Sequence, residues 1–436
     1  MSIIRPTILH GASRPLDVLL LMAIACSALQ LVPLPIAWRA AVSPNAAIVE
    51  DALRFDARMI NSRPVSLNPL ATEFSIGLFA MLLAAFWTAR SAFARGGIRP
   101  VVRGVCWAGL IVSILAIVIR PTAPGLLYGI WRPAEVGTKP YGPFINRNHM
   151  GTWLLLALPL TLGYLAARVA RRGSINAALD AGLVWTAGAA GAMLAALVVS
   201  LSRSAAVGTV AAALCGALIA LGHGRRSRGG LALAAVLGIT IVASMPMSSQ
   251  LLWRFDNAQG DTNKRLQIWR ETVPIVRDFR LTGVGLGAYR VAMMVYQRSD
   301  RAFFFNDAHN EYLQWASEGG LLVCTPLALA AVAAAWGIGR RLRADTSTGF
   351  WIRAGAVASL TGVAVQSVLE TGLEIPANAV LFAVVCAIAI HEPRTAPRTR
   401  SQPTTDRSSN ARQRLEREPP AVHHGLDRSS RISHRT

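Results

Sequence analysis

The chain alternates long apolar runs with short, arginine-bearing connections. A helix needs about 17 to 25 apolar residues to cross the hydrocarbon core of a bilayer, and about ten runs of this kind recur along the sequence. They fall at approximately residues 16–38, 70–89, 101–119, 150–167, 177–200, 205–221, 231–247, 319–338, 350–369 and 376–391. Glycine and proline inside them, as in "LLLALPLTLGYL", are tolerated in membrane helices because neighbouring helices satisfy the freed backbone groups. No span needs to be a strand. The pattern predicts an all-α integral membrane protein of about ten transmembrane helices.

One polar interruption is far longer than an ordinary connection: residues 248–318, which the length alone marks as a functional element with its own helices. Within it, "NKRLQIWRETVPIVRDFR" sets Leu266, Trp269, Val273 and Val276 at helical spacing. That spacing predicts an amphipathic helix lying on the membrane surface or the bundle, with Arg265, Arg270 and Arg277 pointing elsewhere. The next segment, "LTGVGLGAYR", carries Gly283, Gly285 and Gly287. It follows a predicted helix in a chain without alternating strands, so a dinucleotide loop fails on context and a tight turn with close backbone approach is expected. "NDAHNEYLQWASEGG" then opens the helix that re-enters the membrane, with Asn306 or Asp307 as the expected cap.

Composition confirms the solvent: 53% hydrophobic and 15% charged residues, with a mean hydropathy of +0.41, are too apolar for a soluble domain. A net charge of +21 would suggest nucleic acid in a soluble protein, but here the placement of arginine is the simpler account. "ARSAFARGGIRPVVR", "ARVARRGS", "HGRRSRGG" and "GRRLRAD" all follow even-numbered spans or precede odd-numbered ones, which is the positive-inside pattern. It places both termini and these connections in the cytoplasm and the remaining loops outside. The tail from about 392 is rich in Arg, Ser, Pro and Thr, lacks an apolar period and is expected to be disordered and basic. It has almost no aromatic residues for stacking on bases. Cys26, Cys106, Cys215, Cys324 and Cys386 all fall within predicted helices, as small core residues do. The first apolar run has no small-residue cleavage site after it and reads as a retained anchor.

Candidate chemistry concentrates in the outer loops. His149 in "GPFINRNHMG" and His309 in "DAHNEY" are the histidines expected on the outer side, each beside an asparagine at a span end. Arg203 is the charge in the turn "SLSRSAAVG". It either snorkels and is held by helix carbonyls, or binds phosphate through a permanently charged, forked guanidinium. His309 either packs at a helix start or acts as a general base or proton shuttle beside Asp307 and Glu311. Asn146 and Asn148 are candidate sugar contacts. No metal-binding spacing is present: no His-x-x-Glu-His type pattern, no cysteine pair and no Asp-x-Asp. A site without metal or cofactor is expected, its arginines neutralising a leaving diphosphate.

Taken as an ordered set, "GPFINRNHMG", "SLSRSAAVG", "RLQIWRETVPIVRDFRLTGVGLGAY" and "AHNEYLQWASEGG" resemble the O-antigen ligase and O-antigen polymerase superfamily of bacterial inner-membrane proteins, over residues 140–340. The resemblance implies a membrane-embedded, metal-independent, inverting glycosyltransferase. Its donor would be a glycan on undecaprenyl diphosphate and its acceptor a sugar on the periplasmic face: lipid A core for a ligase, another lipid-linked repeat for a polymerase, a protein hydroxyl for a third branch. Carried over by motif, Arg203 and Arg265 would grip the diphosphate with Arg270 as a weaker candidate, His309 would be catalytic, and Asn310 would support it.

The expected organisation is then residues 1–139 as N-terminal membrane helices with a first periplasmic loop, 140–391 as the ligase-like core, and 392–436 as the cytoplasmic tail. The loop at 39–69, with "VEDALRFDARMINSRP", would shape acceptor choice. A transporter is disfavoured because Asp17, Glu73, Asp180 and Glu370 lie near span ends instead of mid-membrane. A scaffold would give no reason for Arg203, His309 and the glycine run to occur together.

Overall fold

The computed structural model describes residues 8, 13–53, 61–134, 138, 140–172, 180–222, 259–299, 301 and 304–392. The expected span at 231–247, part of the 39–69 loop and the tail beyond 392 lie outside the described residues.

The first run gives α1 (Arg14–Leu29), shorter than its apolar pattern. Pro33 and Pro35 stop it, since proline cannot continue a helix and pushes its predecessor out of the helical region. A two-residue strand pair, β1 (Leu34–Pro35) with antiparallel β2 (Ser62–Arg63), frames the short α2 (Ile36–Val42) and α3 (Ala46–Ala52). Glu50 ties this loop together, bound to Arg39 at 2.6 Å and to Arg63 at 3.0 Å. Then come α4 (Pro69–Gly96), capped by the Asn68 side chain, and α5 (Arg99–Thr122). α6 (Arg147–Arg172), α7 (Ala181–Ser200) and α8 (Arg203–Gly222) follow.

The long polar interruption supplies α9 (Gln259–Asp278) and α10 (Tyr289–Tyr296) before the chain returns as α11 (Glu311–Ala344), α12 (Gly349–Gln366) and α13 (Pro376–Ile390). Among the described residues six helices are long and apolar enough to cross a membrane: α4, α5, α6, α7, α8 and α11, with α13 a shorter apolar helix.

The centre of the bundle is α6, whose leucines at 154, 155, 156 and 160 are at most 1% exposed. Small residues let its neighbours approach. Gly163 and Gly355 bring α6 and α12 within van der Waals contact, and Gly208 does the same for α8 against the Gly362 carbonyl of α12. Close backbone approach at small residues is how helices associate where burial of apolar surface gives no drive.

α9 is amphipathic as expected, but its buried face is turned from the predicted one. Ile268, Thr272, Ile275 and Phe279 are buried, whereas Leu266 and Val273 are exposed. The inward face continues to Trp269 and Arg265 at helical spacing, while Arg270 and Arg277 are exposed. The sequence pattern misjudged this face because α9 packs on a second, smaller core with α10, where Tyr289, Ala292 and Met293 gather.

The glycine run makes the predicted close approach. Gly283, Gly285 and Gly287 have φ of +68°, +102° and +72°, and a Cβ on Gly283 would stand 2.1 Å from the Glu318 carbonyl oxygen. It packs where α11 breaks at Gly320, φ +54°. Val284 N–H donates to Ser317 O at 2.9 Å and Gly285 N–H to Glu318 O at 3.1 Å. The Glu318 carboxylate accepts from Gly287 N–H at 2.8 Å and Tyr289 N–H at 3.3 Å. Gln30, at the end of α1, donates to the carbonyls of Thr282 and Glu318 and accepts from Leu286 N–H. The large loop is thus sewn to α1 and α11.

Candidate functional site

The site assembles around Glu370, in the turn between α12 and α13. Its carboxylate is 1% exposed and meets side chains from three other elements. Arg265 of α9 donates to Oε2 at 2.8 Å and also to the Leu369 carbonyl. Asn148 of α6 donates its amide to Oε2 at 2.7 Å. His309 faces Oε1 with its Nδ1 at 3.5 Å. Neither of those last two atoms has another hydrogen-bond partner among the described residues, so a small ring movement would convert this long contact into a charge-assisted bond.

His309 is held by its backbone. It has φ +48°, uncommon for a residue with a Cβ. Its neighbours pin it: the Trp269 indole donates to the Ala308 carbonyl at 3.0 Å, and Ala308 N–H donates to Gln314 Oε1 at 2.8 Å. Glu311 N–H donates to Ser367 O at 2.8 Å. The helix cap is Asn310, whose Oδ1 accepts from Tyr312 and Leu313 N–H at 3.0 and 3.1 Å. Asn306 and Asp307, the caps expected from sequence, lie further upstream; Asn310 takes the place because the helix begins only after the strained histidine.

Arg203 is the first residue of α8 and half-buried. The turn before it is strained at Leu201, φ +53°. Ser202 donates to Asn148 Oδ1 at 2.7 Å and accepts from Ala205 N–H at 3.3 Å, so it caps α8 and joins the Ser-Arg turn to the Glu370 cluster. Asn146 caps the start of α6, its Oδ1 accepting Asn148 N–H at 2.9 Å. His149 is half-buried, its carbonyl accepting from Asn378 at 3.0 Å. It lies within electrostatic reach of Glu370, Asp307 and His309. Arg270 is exposed and makes no ion pair among the described residues.

Electrostatically, the cluster couples His309 and Glu370. Burial acts to lower the His309 pKa, but the facing Glu370 carboxylate and the charge of Asp307 outweigh it, leaving the imidazole above its ordinary 6.5 while Arg265 opposes. Burial acts to raise Glu370, and His309, Arg265 and His149 together bring it below the ordinary carboxylate value. A carboxylate that orients an imidazole and raises its basicity is an arrangement suited to proton abstraction. Among the described residues no group of three or more His, Cys, Asp or Glu side chains stands where a metal ion could be held.

The structure brings Arg265, His309, Asn148 and His149 together, with Arg203 one residue from the network, and leaves Arg270 apart. Sequence reasoning did not pick out Glu370 or Ser202 as members of this network. "QSVLETGLEIPANA" carries the available signal, an acid in a short turn between two apolar runs on the side holding both histidines; it was read there as a span-end charge.

Residues 188–328 match the O-antigen ligase family, a stretch that contains Arg203, Arg265 and His309 but not Asn148 or Glu370. That match overlaps the stretch whose motifs carry the resemblance to the O-antigen ligase superfamily, and it lies in an all-α, multi-pass membrane protein. No curated protein matches the chain.

Proposed function

We propose that this chain belongs to the O-antigen ligase superfamily and transfers a glycan from undecaprenyl diphosphate to a hydroxyl of lipid A core oligosaccharide, at the periplasmic face of a bacterial inner membrane. The observation that carries the reading is the His309–Glu370 pair, with Arg265 on the same carboxylate and Arg203 at the adjoining helix start.

In this reading His309 Nδ1 stays with Glu370, and the opposite ring edge, part of a side chain 36% exposed, meets the acceptor. The imidazole takes the acceptor hydroxyl proton through Nε2 as that oxygen attacks the anomeric carbon from the face opposite the leaving group. The bond from that carbon to the diphosphate oxygen breaks and the configuration inverts. Charge then develops on the diphosphate, where preorganised guanidinium donors in a low-dielectric site act most strongly. Arg203 serves this purpose, its half-buried position at a helix N-terminus adding to the attraction for an anion. Arg265 is committed to Glu370 at 2.8 Å, so it divides its charge between carboxylate and diphosphate, and Arg270 contributes at most at long range. Asn310 acts through the backbone, as the cap that fixes His309. Neither a cofactor nor a metal enters the scheme.

The membrane orientation follows the arginines. The site lies at the end of the bundle where α6 and α8 begin and α12 ends, and "GRRLRAD" lies at the other end of α11 and α12. Arginine-rich connections stay cytoplasmic, which puts the site outside.

The test is glycan transfer by the full chain in liposomes, from an undecaprenyl-diphosphate glycan to lipid A core, with His309→Ala and Arg203→Ala folded to the same extent as the parent. Each variant is expected to lose at least a hundredfold in rate, the range typical of removing a general base or an oxyanion-stabilising group, about 10²–10⁴. Full activity in His309→Ala would overturn the mechanism. Lengthening of the lipid-linked glycan without transfer to core would assign the chain as a polymerase.

A further inference from the structure

We propose that Ser202 is a positioning residue for the transfer: by donating its hydroxyl proton to Asn148 it fixes the direction of that amide, and through it the carboxylate of Glu370. The inference rests on the function proposed above. An asparagine amide has a donor side and an acceptor side of nearly equal shape, and only its neighbours decide which faces where. Here the acceptor side, Oδ1, takes the Ser202 hydroxyl at 2.7 Å and the donor side, Nδ2, reaches Glu370 at 2.7 Å.

The direction propagates from further back. Ser202 Oγ already accepts Ala205 N–H at 3.3 Å and lies 3.2 Å from Ser204 Oγ. Its single proton is committed to Asn148, so Ser204 donates to Ser202, and Gln366 in turn donates to Ser204 at 3.5 Å. The chain Gln366, Ser204, Ser202, Asn148, Glu370 therefore donates one way throughout and ends on the carboxylate. Ser202, Ser204, Gln366 and Glu370 are each at most 4% exposed, so water has little part in it. The strained Leu201, φ +53°, sets Ser202 at this point. An unsupported amide would turn its carbonyl toward Glu370, or leave it, and a buried acceptor facing a carboxylate is costly.

The consequence has a sign. Asn148 and Arg265 both draw charge to Oε2 of Glu370, and Oε1 is left for His309. Loss of the Asn148 donor leaves more negative charge for the imidazole and raises its titration midpoint. The other groups facing the pair are Arg265 from α9, His149 from α6 and Asp307 from the loop before α11, and none of them belongs to the Ser202 chain.

The experiment is an ¹⁵N-histidine titration of His309 in the full chain in detergent, paired with the pH profile of transfer in liposomes. In Ser202→Ala the His309 midpoint and the basic-going activity limb are expected to move to higher pH; a half-unit rise lowers the neutral imidazole fraction about threefold below the midpoint. Ser202→Thr keeps the hydroxyl and is expected to restore the parent midpoint. In a Glu370→Gln background Ser202→Ala is expected to move nothing. An unmoved midpoint in Ser202→Ala, or an equal shift in the Glu370→Gln background, would reduce Ser202 to a helix cap. Asn148→Ala, which leaves that cap in place, is expected to raise the midpoint in the same direction and decides the matter if Ser202→Ala fails to fold. Because the titration needs no turnover, a shift seen without any transfer would sink the proposed function and leave this coupling standing.

Discussion

Glu370 joins side chains that the sequence keeps far apart, Asn148, Arg265 and His309, and the pH behaviour of the site follows from that junction. Because the folded His309 pKa lies above 6.5, its pairing stabilises the fold fully below the unfolded value and is lost as pH rises through the folded one. Glu370, held below its ordinary value, stabilises above the unfolded carboxylate pKa, and that contribution is lost as pH falls through its folded pKa. Glu370→Gln is expected to move the activity limb of His309 to lower pH, the reverse of the Ser202→Ala shift, and to lower the melting temperature. Breaking a buried pair costs about 3–5 kcal/mol, less here because Arg265 stays 27% exposed. A pH–rate profile with a melting curve checks both; an unmoved limb would separate Glu370 from the chemistry. Arg203 stands out in the sequence as a charge in a tight turn between two apolar runs and His309 as a histidine among polar residues at a span end, whereas Arg265 is reached only through the motif resemblance. Glu370 does not stand out, because a carboxylate at a span end looks the same whether it meets solvent or closes a buried network, and only the fold supplies residues 148 and 265.

At the scale of elements, the apolar periodicity located most helices to within a few residues, as α5 (Arg99–Thr122) against the expected 101–119 shows. It failed where packing partners are local: α9 turns Ile268 and Ile275 inward because α10 lies beside it, a neighbour that periodicity does not reveal. The glycine run was legible as a turn, while its partner, the break at Gly320, required the structure. That junction is rigid by construction. Gly283→Ala would place a Cβ 2.1 Å from backbone at φ +68°, and the left-handed backbone and the overlap together are expected to cost about 2–5 kcal/mol. Gly104 has open space around it and lies inside α5, so Gly104→Ala is expected to be neutral or stabilising by up to about 1 kcal/mol. Thermal unfolding in detergent compares the two; equal melting temperatures would mean the glycine clamp does not constrain the large loop. Asn310 makes a second test of an element's end. Asn310→Ser keeps a capping oxygen and is expected to stay close to the parent, whereas Asn310→Ala loses about 1 kcal/mol and part of the His309 alignment.

For the whole molecule, the arginine-rich connection between α11 and α12 and the site lie at opposite ends of the bundle, and that division gives the orientation a direct test. Buried arginines away from the site are structural: Arg353 is 4% exposed and holds Asp345 at 3.0 Å and the carbonyls of Ala389 and His391, fastening the end of α13 to the α11–α12 connection. Asp17, 0% exposed, is likewise held by Arg90 and by the Trp87 indole. At the site's end the connection between α5 and α6 presents Ile130 at 84% exposure, beside the bridge of Leu127 to Trp131. At the other end the α11–α12 connection presents Thr346. The native cysteines at 26, 106, 215, 324 and 386 are free, and none is fully exposed, so an introduced surface thiol is readable against them. With the outer membrane permeabilised, a membrane-impermeant maleimide is expected to label Ile130→Cys in intact cells and Thr346→Cys only after lysis. The opposite pattern would put His309 and Glu370 on the cytoplasmic side. A diphosphate-linked glycan awaiting transfer in the periplasm would then never meet them, and the reaction proposed for the pair would fail on topology alone, whatever its geometry.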